Sequence, residues 1–245
     1  MKNIHTLIAL VLFCKLGCSA QTISGQVEGH DYVDLGLPSG TKWATCNVCA
    51  TEPTAYGDYF AWGETKPKDN YRWSTYKWCE NKKTDQIHIP HDFTKYCTDS
   101  TYGTVDNKME LEADDDAATI NWGDDWRMPT LEEIRELYYN CKWEWTYDYN
   151  SSGVAGIVGK STENNNTIFF PATGFRIGPD VYNVGEYENF YLGYCWSSSL
   201  LKKNSNSSRV LIFSDHRLVQ SSYDYIDWRI PISRAFGLNV RAVVR

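Results

Sequence analysis

Between Asn121 and Cys141 the chain reads NWGDDWRMPTLEEIRELYYNC, setting Asp124, Asp125, Glu132, Glu133 and Glu136 beside Arg127, Arg135, Trp122 and Trp126. Paired carboxylates can serve as general acid and base when their surroundings drive their pKa values apart. The spacing here gives them a different use. Thr130 followed by Glu133 is a capping box, and Pro129 keeps the approach to it extended. Beyond the cap, Ile134, Leu137, Tyr138 and Cys141 recur at i, i+3, i+4 and i+7, the buried stripe of one amphipathic helix. Glu132, Arg135 and Glu136 are left to solvent. Capping and solubility absorb the carboxylates, so the window reads as scaffold and no catalytic residue is assigned.

Two further groupings have the residue types of a reactive site. Cys46 to Cys49, CNVC, is a C-x-x-C, but no second such pair follows and the five histidines are not spaced as zinc partners. A thioredoxin-like role would need a βαβ pattern around the motif, which the sequence lacks. Asp215 next to His216 suggests a base, yet neighbours on a strand point to opposite faces and cannot form a dyad directly. The sequence therefore predicts no metal site, no cofactor and no enzyme.

The chain has 245 residues and a formal net charge of -7. That length suits one well-buried domain. The negative balance, without a local basic patch, disfavours a phosphate-backbone partner, and nucleic acid is excluded on that ground. Ten tryptophans and seventeen tyrosines in so polar a chain place many rings at least partly at the surface.

Residues 1–20 read as a signal peptide: Lys2 supplies the positive start, Thr6 to Phe13 the apolar run, and Cys18 and Ala20 the small residues that suit cleavage after Ala20. The apolar run is too short to span a bilayer and is interrupted by Lys15. The Gly-Cys ending of KLGC leaves a second reading, a lipidated Cys18, which is the one route to a membrane. Residues 21–29 then read as a short linker, and 30–245 as one domain. The expected location is periplasmic, outer-membrane-associated or extracellular. Export gives the cysteines their meaning: Cys14 and Cys18 fall in the leader, and the even remainder, Cys46, Cys49, Cys79, Cys97, Cys141 and Cys195, reads as a disulfide set.

The elements follow from periodicity. Residues 30–48 alternate on both sides of a Pro38-Ser39-Gly40 turn, as a β-hairpin does. Residues 56–65, YGDYFAWGET, read as a short aromatic strand, and 67–102 as a long polar loop pinned by Cys79 and Cys97. LEADDDAATIN reads as a short helix with Asp114 to Asp116 at the positive end of its dipole. From Asn166 onward TIFFPATGF, GYCWSSS, RVLIFS, HRLVQSS and GLNVRAVV are short strand-like runs, with KKNSNSSR as a hairpin loop. Two short helices before a β-rich half predict an α+β domain with a mostly antiparallel, twisted sheet and long loops.

Several long motifs, in order, carry a resemblance: YVDLGLPSGTKWATCNV, YGDYFAWGET, the run from Tyr96 to Thr130, YCWSSS and RAFGLNVRAV. Together they resemble the bacterial major paralogous domain family, abbreviated FISUMP, over about His30 to Arg245. That family is similar to the C-type-lectin-like superfamily, which also holds formylglycine-generating enzymes and receptors diversified by retroelements. The resemblance implies a single compact C-type-lectin-like domain, with the RMPT stretch opening a scaffold helix and the final strand closing the fold. Exported members resemble surface or periplasmic binding modules, often lipoproteins. Calcium-dependent sugar binding would need Glu-Pro-Asn or Gln-Pro-Asp, whereas the nearest string is Gly178-Pro179-Asp180. Formylglycine-generating chemistry would need a cysteine pair in the C-terminal half, where Cys195 stands alone.

Cys49 and Cys195 depart from the family pattern, and so are expected to pair with each other; Cys46 is expected to join Cys141, and Cys79 to join Cys97. The stretch from Phe213 to Arg234 is longer than the family's and contains SSYDYIDWR. Tyr, Asp, Trp and Arg dominate recognition surfaces, because they give large contact area with few rotors and polar tips. The expected ligand-binding residues are Tyr187, Tyr191, Tyr223, Asp224, Tyr225, Asp227, Trp228 and Arg229. The function implied is a non-enzymatic binding module for a glycan, a peptide or a cell-surface protein. An enzyme of the formylglycine-generating type and a retroelement-diversified receptor are the alternatives.

Overall fold

A two-residue turn opens the fold. β1 (Gly25–Val27) and β2 (His30–Val33) pair antiparallel, with Val27 opposite His30. The turn residues between them, Glu28 and Gly29, both have positive φ (47° and 83°). This is the geometry whose twist matches a hairpin, and Gly29 takes it at no steric penalty. β2 then pairs with β3 (Lys42–Ala44), completing the hairpin expected from the alternation. The computed structural model describes residues 20–80, 90, 92–182, 191–202, 204–215 and 226–244.

Residues 21–29 are not a linker. Besides forming β1, they are hydrogen-bonded into the domain: the Thr22 amide donates to the Thr167 carbonyl at 3.1 Å, and the Ser24 amide to the Tyr32 carbonyl at 2.8 Å. Polar side chains here complete a neighbouring strand edge, so the segment is fixed although it lacks apolar periodicity.

Two helices follow. α1 (Ala117–Trp122) is capped by Asp116, whose carboxylate accepts the amides of Ala118 and Thr119. α2 (Leu131–Tyr139) opens on the expected capping box of Thr130 and Glu133 and buries Ile134 and Leu137. Cys141, expected to continue the stripe, lies beyond the helix, which ends at Asn140. Cys141 instead begins β4 (Cys141–Thr146), which pairs with β5 (Gly156–Ser161) and, through it, with β6 (Thr167–Pro171). A small hairpin of β7 (Phe175–Ile177) and β8 (Asp180–Tyr182) precedes the longest strands, β9 (Leu192–Leu200) and β10 (Ser207–Ser214). The far edge of β10 carries β11 (Ile226–Asp227) and β12 (Pro231–Ser233), and β13 (Val243–Val244) closes on β3. Every pair of these strands is antiparallel, so the domain is α+β as expected.

The β9–β10 hairpin is the partition of the molecule. Tyr194, Trp196, Val210 and Ile212 face one core with Trp62, Trp126 and Met128, while Cys195, Leu211 and Phe213 face a second with Trp43, Ile134, Leu137 and Phe170. Burial on both faces explains why all nine residues of β9 are buried, serines included. Those serines are held by hydrogen bonds, for example Ser197 Oγ to the Arg209 carbonyl at 2.9 Å.

A third core forms where a loop was expected. Tyr71, Trp73, Tyr76, Cys79, Phe93 and Cys97 are buried together with Ala235. Arg234, fully buried, closes it: its guanidinium lies 4.7 to 6.0 Å from the rings of Trp62, Tyr76, Phe93 and Tyr96. Its N–H groups donate to the Tyr76 hydroxyl and to the carbonyls of Tyr96, Ser205 and Lys95. An arginine therefore ties Tyr76, Phe93, Lys95 and Tyr96 together, in the stretch assigned to a disulfide. The YGDYFAWGET stretch forms no strand either. Phe60 makes a single bridge to Leu238, and its neighbours are held by their rings in the core.

Candidate recognition surface

Two carboxylates of the Asn121 to Cys141 window, Glu133 and Glu136, are built into the scaffold. Glu133 accepts Arg127 Nη1 at 2.7 Å, the Thr130 amide at 2.9 Å and the Thr41 hydroxyl at 3.0 Å. Burial alone would raise this carboxyl, but those donors outweigh it and hold it at about 2. Glu136, expected in solvent, accepts the Ser39 amide at 2.8 Å and ties the first hairpin loop to α2. In the cleft of about 480 Å³ beside α1, Asp116 spends its oxygens on three backbone amides and Glu110 accepts the hydroxyls of Ser198 and Ser199. Burial raises the Asp116 carboxyl against those amides. The buried carboxylates of this region, Asp116 and Glu133, are thus committed to structural hydrogen bonds.

The expected disulfides are not formed among the described residues. The Cys79 thiol donates to Asp92 Oδ1 at 2.8 Å and the Cys97 thiol to the Asp99 carbonyl at 3.1 Å, so neither turns to the other. Cys141 and Cys195 are both buried in the second core, whereas Cys49 is exposed. Burial pushes the Cys141 and Cys195 thiols up to about 12. Burial, with Asp58 alongside, pushes Cys49 up to about 11. These thiols are protonated near neutrality, the opposite of an activated nucleophile.

Of the residues expected to bind ligand, Tyr187, Tyr223, Asp224 and Tyr225 lie outside the described residues, as does His216. The remaining four divide. Asp227, paired with Ile212 across β10, is buried and turned onto its own chain: Oδ1 accepts the amides of Trp228 (2.7 Å) and Arg229 (2.8 Å) and Arg229 Nε (2.9 Å). Burial would raise this carboxyl, but Arg229 and the two amides bring it below the usual range. Asp227 and Arg229 thus shape a turn. Trp228, expected as an open ring, is half-buried against the second core with the Arg135 guanidinium 4.8 Å from its centroid.

Tyr191 alone sits in a setting suited to recognition. Its ring contacts Tyr147 (5.9 Å between centroids) and Trp145 (6.5 Å), which contact each other at 6.2 Å. Asp215 lies at the centre of the polar rim: it accepts the Tyr191 amide at 3.1 Å and the Tyr147 hydroxyl at 3.3 Å. Tyr147 is 61% exposed. The strand explains the arrangement, since Trp143 and Trp145 alternate on one face of β4 and Tyr147 continues that alternation past its end. The alternation in KWEWTY marks this surface in the sequence, but it follows directly on a helix and was not among the expected sites. A second ring row stands on the β7–β8 hairpin, where exposed Tyr182 stacks on Phe175 at 5.6 Å and Phe175 on Phe236 at 6.1 Å. Gly178 and Pro179 form the turn of that hairpin and Asp180 opens β8, with Gly178 at φ 61° and the Pro179 carbonyl accepting Arg176.

No family model, curated protein or solved structure matches the chain.

Proposed function

We propose that the chain is an exported, non-enzymatic binding module of C-type-lectin-like topology that holds a saccharide on the Trp145, Tyr147 and Tyr191 rings. The lectin-like reading is supported by the closure of the first hairpin by β13 and by α2 packing on β9 and β10. The observation that carries the function is the ring trio with Asp215 at its edge. The face of a pyranose is apolar and its rim hydroxylated, so stacked rings beside a carboxylate match both parts. A binding role is also favoured by the commitment of the buried Asp116 and Glu133 carboxylates to structural hydrogen bonds and by the raised, protonated thiols of Cys141 and Cys195. Probing a glycan and protein array with the domain tests the reading. Saccharide capture that is lost in Tyr147→Ala and Tyr191→Ala is expected; capture of proteins alone, or saccharide binding indifferent to both changes, would overturn it.

A further inference from the structure

The residue that follows the expected cleavage point is held at all three of its nitrogen and oxygen functions that processing could alter. The Gln21 backbone nitrogen donates to the Tyr149 hydroxyl at 2.6 Å. Its side-chain Nε2 donates to the Thr45 carbonyl at 2.8 Å, and its Oε1 accepts the Phe169 amide at 2.6 Å. The socket is rigid, because the Tyr149 ring lies flat on Phe169 at 3.8 Å with 2° between their planes, and both residues are buried. Next to Gln21, on the side that processing leaves intact, Thr22 Oγ1 accepts the Thr167 amide at 3.1 Å.

We propose that this socket receives the amino terminus made when the leader is removed after Ala20, and that it keeps the new terminal glutamine from cyclising. The inference rests on the cleavage reading and adds a chemical consequence to it. A free N-terminal glutamine closes on itself when its α-amine attacks Cδ of its own carboxamide: the N–Cδ bond forms, the Cδ–Nε2 bond breaks, and the nitrogen leaves as ammonia with a proton taken from the amine. That step needs the carboxamide to swing onto the amine. In the socket the amine keeps its donor role to Tyr149, while Thr45 and Phe169 hold the carboxamide at both ends, so at least the Nε2 bond must open first. Export thereby yields an uncyclised, docked terminus whose chemical state reports whether the domain is folded.

Two preparations separate the socket from the processing. In the first, the full chain is exported and the purified product's terminal residue is found by intact mass and terminal sequencing; a start at Gln21 is expected, and a lipidated Cys18 or another start would overturn the processing half. In the second, the same domain is released at Gln21 from a removable tag and incubated warm at neutral pH, with ammonia loss followed by mass. Cyclisation slower by roughly tenfold or more than in a peptide of residues 21–29 is expected, since hydrogen bonds must open before reaction. Tyr149→Phe, which keeps the ring stack, should move the rate toward the peptide's, and denaturant should abolish the difference. Cyclisation of the folded domain at the peptide's rate would overturn the socket whichever start the first preparation shows.

Discussion

The Arg135 guanidinium lies over the Trp228 ring, 4.8 Å from its centroid, joining the exposed side of α2 to the turn after β11. This contact makes Trp228 part of the packing. Trp228→Ala should lower stability by about 1–3 kcal/mol, from lost apolar burial and the lost cation–π contact. Arg135→Ala should lower it by about 0.5–1 kcal/mol. Denaturant titration of both and of the double variant, with non-additive losses, is the check; additive losses would mean the two do not interact.

Binding should respond elsewhere. Tyr147→Ala and Tyr191→Ala are expected to weaken saccharide binding by about 1–3 kcal/mol each, the range of a moderate hot spot. The melting temperature should fall little for Tyr147, which is mostly exposed. Calorimetric titration against a captured saccharide reads both effects side by side.

The Glu133 network sets an acid limit. A carboxyl held at about 2 when folded, against 4.5 as its ordinary value, binds protons less readily in the native state. Its contribution is therefore complete above about 4.5 and is lost as pH falls toward 2, amounting to roughly 2–3 kcal/mol. Glu133→Gln should flatten the loss of stability across that window, and Thr130→Ala should cost about 1 kcal/mol at neutral pH through the missing cap. Urea midpoints measured from pH 6 down to pH 3 distinguish the two variants.

How much of this was legible varies with the range of the interaction. The capping box, the helix over Leu131–Tyr139 and the first hairpin are local, and the spacing of Thr130, Glu133, Ile134 and Leu137 is enough to place them. Arg234 could not be read, because its role depends on four rings brought from Trp62 to Tyr96. The same holds for Tyr56 to Thr65, whose alternation suits a strand but whose backbone partners are scattered, Val48, Leu238 and Arg234, with a single bridge at Phe60. Tyr191 could be singled out by its residue type, whereas Trp145 and Tyr147 join it only once the residue before β9 meets the end of β4 in the folded chain. The cysteines misled for a similar reason: an even count carries no information about where thiols meet.

Replacing the arginine cage tests the third core. Arg234→Lys keeps the charge but cannot supply the guanidinium's separate donors to Tyr76, Tyr96, Ser205 and Lys95. A loss of about 2–4 kcal/mol is expected from the acceptors left buried. Limited proteolysis should then cut first within residues 67–102; first cuts elsewhere would show that this segment is held by something other than Arg234.

Thiol labelling should rank the cysteines by their setting. Cys49 is exposed yet pushed up to about 11, so its alkylation should be slow at pH 7 and accelerate with pH. Cys141 and Cys195 should label only after unfolding. Peptide mapping after labelling gives the order, and fast labelling of Cys195 in the folded domain would contradict its place in the second core.

The pairing of β3 with β13 has a kinetic side. Arg241, which donates to the Ala44 carbonyl, stands 197 positions from it. Val243 and Trp43 meet across a similar span. Contacts between such distant parts of a chain form slowly, because a long loop must close before they give any stabilisation. Until they form, β3 has an unpaired edge, and the buried cage around Arg234 lacks its arginine. A chain built this way stays open until its far segment has arrived, so locking of the fold is a late step that waits on the pairing of β3 with β13.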